Sequence, residues 1–158
     1  LKGGEASPES VDAAVDSMTR LNKEGRDAAR DLCVHAATDV TGFSIAGHSS
    51  EVANASGVTI EIDTSKLPIL PNALEYARFG LLPEGMYHNL DYVADKVDFD
   101  SSLSQEMKDL CCDPETSGGL MLFLNQEDAE EVVRRIGKPY CRIIGKVIER
   151  KEKAVYFK

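Results

Sequence analysis

An acid, a hydroxyl and a glycine stand close together in T-D-V-T-G, where Asp39, Thr41 and Gly42 follow the short apolar stretch H-A-A. A carboxylate ending an apolar segment is the kind of hard oxygen donor that magnesium takes. The ion draws one or two such groups from protein and fills its octahedron with water and phosphate oxygens. Gly42 opens a helix-like run, and a helix N-terminus offers unpaired N–H groups and a positive dipole end to an anion. Each feature also has a purely local use. Asp39 can bond backbone amides of its turn, and Thr41 can cap the helix. One carboxylate alone makes no metal site.

The second unusual stretch is D-P-E-T-S-G-G-L at 113–120. Asp113-Pro114 forces a turn, Thr116 and Ser117 offer hydroxyls, and Gly118-Gly119 exposes backbone before an apolar run. Consecutive amides in such a turn can make an anion-binding nest, and the same loop can be structural only. No G-K-[ST] follows it, so it is no Walker loop, and it carries no dinucleotide fingerprint. The four cysteines, at 33, 111, 112 and 141, and the three histidines, at 35, 48 and 88, lack zinc-ligand spacing. The thiols read as free and partly buried, as in a reducing cytoplasm. His48 lies on a run of small residues, where it can face core or cleft. Nothing supports a hydrolase.

These residues need elements to hold them. Ser7-Pro8 starts a helix, and apolar residues at three- and four-residue spacing carry it to Leu32, with Gly25 as an interruption. Cys33 to Thr38 reads as a buried strand. Gly42 to Ser56 reads as a helix rich in Ala, Gly and Ser, closed by Gly57. Val58 to Asp63 alternates as a half-exposed strand. A short helix follows at Ala73–Ala77, then loop over Leu81–Asn89 and a strand over Leu90–Val97. Leu103–Cys112 is helix and Leu120–Leu124 a buried strand. Gln126–Ile136 is a helix whose acids precede its arginines, in keeping with the dipole. Arg142–Ile148 is a strand, and Ala154–Phe157 a last one paired with it. This gives an α+β fold: one domain over residues 1–158, a mixed β-sheet of about five strands packed against α-helices, with residues 1–7 a flexible lead-in.

Length, 158 residues, allows a real core in one domain. No apolar run approaches the ~20 residues of a bilayer span, and no secretion signal starts the chain. Eighteen basic against 27 acidic residues give a net charge of -9. That argues against a nucleic-acid surface, which needs clustered Lys and Arg. Lys151 and Lys153, interleaved with acids, read as a solvated turn. An acidic protein that binds polyphosphate needs divalent cations to neutralise it. The start on Leu1 suggests a piece of a longer chain.

Taken in order, H-A-A-T-D-V-T-G-F with a following G-H, then E-I-D-T-S-K-L-P-I-L-P-N-A-L, C-D-P-E-T-S-G-G-L and I-G-K-V resemble the carboxy-terminal domain of the selenophosphate synthetase family. S-M-T-R-L-N-K-E-G-R-D-A-A looks like the helix entering it. The resemblance covers roughly residues 9–148. It implies an α+β domain of the aminoimidazole ribonucleotide synthetase-like group, closing over an amino-terminal domain that dimerises. It also implies an enzyme that makes selenophosphate, AMP and phosphate from selenide, ATP and water, with Mg2+ required. By match, Asp39 is a magnesium ligand, while Thr41, Gly42, Thr116, Ser117, Gly118 and Gly119 are candidate contacts to the bound nucleotide. The family's catalytic Cys or selenocysteine, its partner Lys and its other metal acids have no counterpart here. They belong to the amino-terminal domain, so this fragment alone is expected to be inactive. A cytoplasmic location and a homodimer of the full-length protein follow from the same likeness. The alternatives are the equivalent domain of another enzyme of the group, or a non-catalytic binding module. One departure is Ser44-Ile45-Ala46, where relatives often carry a Gly-Leu-Leu-like run, an exchange expected to affect packing more than chemistry.

Overall fold

The computed structural model describes residues 4–158, so Leu1, Lys2 and Gly3 of the expected lead-in lie outside the described residues. Ser7 caps the first helix, α1 (Pro8–Thr19), by accepting from the Ser10 N–H. Its own N–H donates to the Tyr76 hydroxyl at 3.0 Å. The single helix expected to Leu32 is two: α1 ends at Thr19 and α2 runs Lys23–Ala29. Arg20 turns extended, and the Thr19 hydroxyl donates back to Val15 O at 2.8 Å, a local bond that competes with helix propagation. Gly25 does not interrupt anything. It lies inside α2, where a Cβ would stand 3.2 Å from Leu120 Cδ1.

The strand expected at Cys33–Thr38 is β1 (Ala36–Asp39), half-buried and alternating. Then come α3 (Ser44–Ser56), closed by Gly57 at φ +67°, and β2 (Val58–Ile62). A 3-10 turn over Thr64–Lys66 leads to α4 (Ala73–Arg78), α5 (Glu84–Val93) and β3 (Val97–Phe99). The loop and strand expected over Leu81–Val97 are therefore mostly helix. Pro83 sits just before the first helical turn, where its fixed φ does no harm. The remainder is α6 (Gln105–Cys111), β4 (Leu120–Phe123), α7 (Gln126–Ile136), β5 (Gly145–Glu149) and β6 (Val155–Phe157).

The α+β class holds, with two sheets instead of one. β1 and β4 form an antiparallel pair, and the other four strands run in the order β3-β6-β2-β5. β6 was expected beside β5. It lies instead between β2 and β3, parallel to both, while β5 runs antiparallel to β2 at the edge. β2 is buried from Thr59 to Ile62, not half-exposed, because strands flank it on both sides and α3 covers one face. Ile60, Ile62, Val155 and Phe157 from the sheet meet Ala46 and Ala53 of α3 and Met86 and Val93 of α5 in one core. Phe99 stacks on Phe157 at 5.0 Å. The alanines of α3 let the helix lie close to the sheet, and this fixes where its first turn points.

Candidate functional site

The two unusual stretches of sequence come together. β1 and β4 pair with Asp39 opposite Leu120. The ladder continues past the strand ends, where Val40 N–H donates to Gly119 O at 2.9 Å and Gly118 N–H to Val40 O at 2.8 Å. Glu115 N–H reaches Thr41 O at 3.1 Å. The 113–119 loop is thus the backbone partner of the Asp39–Gly42 turn. A Cβ on Gly118 would lie 3.0 Å from Val40 O and 3.1 Å from Val40 Cβ, so close chain approach accounts for that glycine. Gly119 has φ +92°, where a side chain is strained. Gly42 differs: a Cβ there would meet nothing within 4 Å. Space lies open above the start of the helix.

The two faces of the β1–β4 pair have different surroundings. Met121, buried, accepts from Ser49 of α3 at 3.6 Å, so α3 covers that face. Alternation puts Ala37 and Asp39 on the other face, with their cross-strand partners Leu122 and Leu120. This face opens on a groove of about 800 Å³ whose lining includes Leu21, Leu32, Ala37 and Leu122, with Lys23, Arg26 and Arg30 contributed by α2 and the residue after it. Asp39 is exposed, and no ion pair or hydrogen bond to its carboxylate occurs among the described residues. No cluster of three His, Cys, Asp or Glu capable of holding a metal occurs among them either.

Asn89 went unnoticed in the sequence because its segment read as loop. It is buried on α5 and donates from Nδ2 to Gly42 O at 2.9 Å and Cys112 O at 3.0 Å. One amide therefore ties the turn after β1 to the end of α6. Asp113 follows, with Oδ1 buried and without a partner among the described residues, and desolvation pushes its carboxyl up to about 6. Glu115 keeps an exposed face, yet desolvation by the surrounding chain, and then the Asp113 charge, also push it up. Thr116 is exposed and Ser117 half-buried.

His48 faces the turn. Its Nε2 lies 3.1 Å from Thr41 Oγ1 and its Nδ1 3.0 Å from Glu51 Oε2. Phe43 packs over it, with ring centroids 5.8 Å apart, and stacks on Tyr92 at 5.3 Å. Gly47 makes room for this, since a Cβ there would lie 2.8 Å from Phe43 Cβ. The vicinal thiols are inert by burial, which pushes Cys112 up to about 12 and Cys111 higher still.

The fold and this turn define a class. Residues 3–158 match the family described as AIR synthase related protein, C-terminal domain, and the chain belongs to that family. Among curated proteins it is similar to the selenide, water dikinase of Clostridium botulinum, 46% identical over 143 residues, or 89% of this chain and 41% of the relative. The selenide, water dikinase of Caldanaerobacter subterraneus is 40% identical over 99% of this chain and 46% of its own length. That of Clostridioides difficile is 36% identical over 98% and 45%. The chain thus spans a little under half the length of the curated relatives it matches. No helix among the described residues is long and apolar enough to cross a membrane.

Proposed function

We propose that this chain is the carboxy-terminal domain of a selenide, water dikinase, making selenophosphate, AMP and phosphate from selenide, ATP and water as part of the longer protein. The observation that carries this reading is Asp39: an exposed strand-end carboxylate, unpaired among the described residues, in a chain similar along nearly its whole length to proteins bearing that name. A hard, unpaired oxygen donor fits magnesium, and a single carboxylate fits the role of one ligand in a shell shared with phosphate. Bound there, the ion would neutralise charge on the transferring phosphoryl groups.

Around Asp39, Thr41 and Gly42 offer a hydroxyl and open space, and the Thr116–Gly119 loop lies against the same turn. These are the residues for nucleotide contact. The groove beside Asp39, apolar in its floor and basic at its rim, suits an amino-terminal domain of the same chain, which would supply the nucleophile and the remaining metal acids. A homodimer in the cytoplasm completes the proposal. No nucleic acid or membrane is a partner.

The test uses the longer protein. Asp39→Asn is expected to abolish magnesium-dependent ATP consumption while the circular-dichroism spectrum and melting temperature stay as in wild type. Unchanged turnover in that variant would end the metal assignment. Dependence of ATP consumption on selenide separates this function from other enzymes of the family.

A further inference from the structure

α1 carries an apolar stripe and has little to bury it in. Val11, Ala14, Val15 and Met18 recur along it at three- and four-residue spacing, yet only Ser10 among its residues is buried. Val15 is 46% exposed and Met18 36%. The helix is tied down at its ends. At the start Ser10 Oγ donates to Pro71 O at 3.3 Å and accepts from Asn72 Nδ2 at 2.9 Å. Past the end, the Arg20 guanidinium lies 3.7 Å from the centre of the Tyr140 ring. No other helix or strand packs closely along its length. A helix of 12 residues is marginal in water unless tertiary packing covers its apolar face.

The stripe runs on into the groove. Leu21, 73% exposed, follows α1 and lines the groove on the face of the β1–β4 pair that α3 leaves open. Two strands alone make a marginal sheet, so this face also lacks a layer. At the rim Arg26 is paired with Asp27, whereas Lys23 and Arg30 have no ion pair among the described residues.

We infer that α1 and the groove form one docking seam, filled by a segment of the longer protein outside residues 1–158. That segment sets apolar side chains on Val15, Met18 and Leu21 and carboxylates against Lys23 and Arg30. The relatives carry more than half their length outside the match, and the matching region is a carboxy-terminal domain. The remaining chain therefore leads in toward Pro8, directly onto α1. A segment tethered there meets the seam at high effective concentration, which a second copy lacks. It needs acids, because an apolar cover alone would leave Lys23 and Arg30 desolvated without partners. The inference rests on the proposed function for its longer protein, and extends the contact from the groove to α1.

Two measurements on the purified longer protein test it. With photoreactive benzoylphenylalanine in place of Leu21, irradiation and mass spectrometry are expected to find cross-links to residues outside 1–158. Cross-links confined to residues 1–158, of the same copy or a second one, would overturn the inference, as would none. Val15→Asp with Met18→Asp is expected to speed hydrogen exchange of the α1 amides roughly tenfold or more, while the β2 amides of the main core exchange as in wild type. Unchanged exchange in α1 would also overturn it. Neither readout uses turnover. Failure here with selenide-dependent ATP consumption intact sinks the seam alone, and ATP consumption without selenide dependence ends the proposed function alone.

Discussion

Ser44 begins α3 at φ +66° and is fully buried. The departure at this position was expected to matter through packing. It matters first through the backbone, because a left-handed residue with a Cβ is strained by about 1–2 kcal/mol. Glycine would relieve that strain and give back roughly 0.4–1 kcal/mol through the freer unfolded chain. Ser44→Gly is therefore expected to be neutral or to stabilise by up to about 1 kcal/mol in urea unfolding. Ser44→Val should destabilise, since a β-branched side chain is a genuine outlier there. A loss of stability on going to glycine would contradict this. At this scale the sequence was informative about residue types: Asp39, Thr41 and the 113–119 loop stand out by composition and do meet in space. The Thr41–His48–Glu51 chain did not stand out, because a seven-residue separation becomes a contact only once the turn folds Thr41 back over α3.

Among elements, α7 was legible to its ends. Asn125 caps it by accepting from Asp128 N–H, and Gly137 closes it at φ +58°. α3 was legible at its end, from the stop signal at Gly57, but not at its start: it begins at Ser44, two residues after the expected Gly42, and Phe43, not Thr41, stands at its N-cap with no side-chain bond. α5 was not, because Pro83 and Gly85 read as breakers. Pro83 in fact precedes the first turn, and Gly85 lies under Pro114, where a Cβ would stand 3.1 Å from Pro114 Cγ. α5 is also the element that anchors the site. Asn89→Ala removes the donor shared by two carbonyls and is expected to cost about 2–3 kcal/mol, measured by chemical denaturation. A loss below about 0.5 kcal/mol would show that the amide does not bind the turn to α6. The pairing of β6 was illegible on different grounds, since parallel partners far apart in sequence leave no local mark.

Across the molecule, two carboxyls pull stability in opposite directions with pH. Asp113, held up at about 6 by desolvation, favours folding most when protonated. Its contribution is full below its ordinary value of about 3.9 and is lost as pH rises through about 6. Glu61, buried on β2, is held down to about 2 by hydrogen bonds from Lys158 and then Lys151, with Lys146 adding a third partner. Its contribution is present above about 4.3 and disappears as pH falls toward 2. Lys151 is thus part of a buried carboxylate's shell, not of a free turn. Between about pH 4 and 7, wild type should lose stability relative to Asp113→Asn by about 1–2 kcal/mol. Parallel pH profiles of unfolding free energy for the two proteins would remove Asp113 as the cause.

Because the strand made by residues 155–157 sits inside the larger sheet, flanked by β2 and β3, a nascent polypeptide still short of those residues has a gap where a middle strand belongs. Ile60 and Ile62, which pair with Val155 and Phe157, cannot be sealed from water until the ribosome has delivered that segment. Folding of this unit therefore waits on the synthesis of residues 155–157.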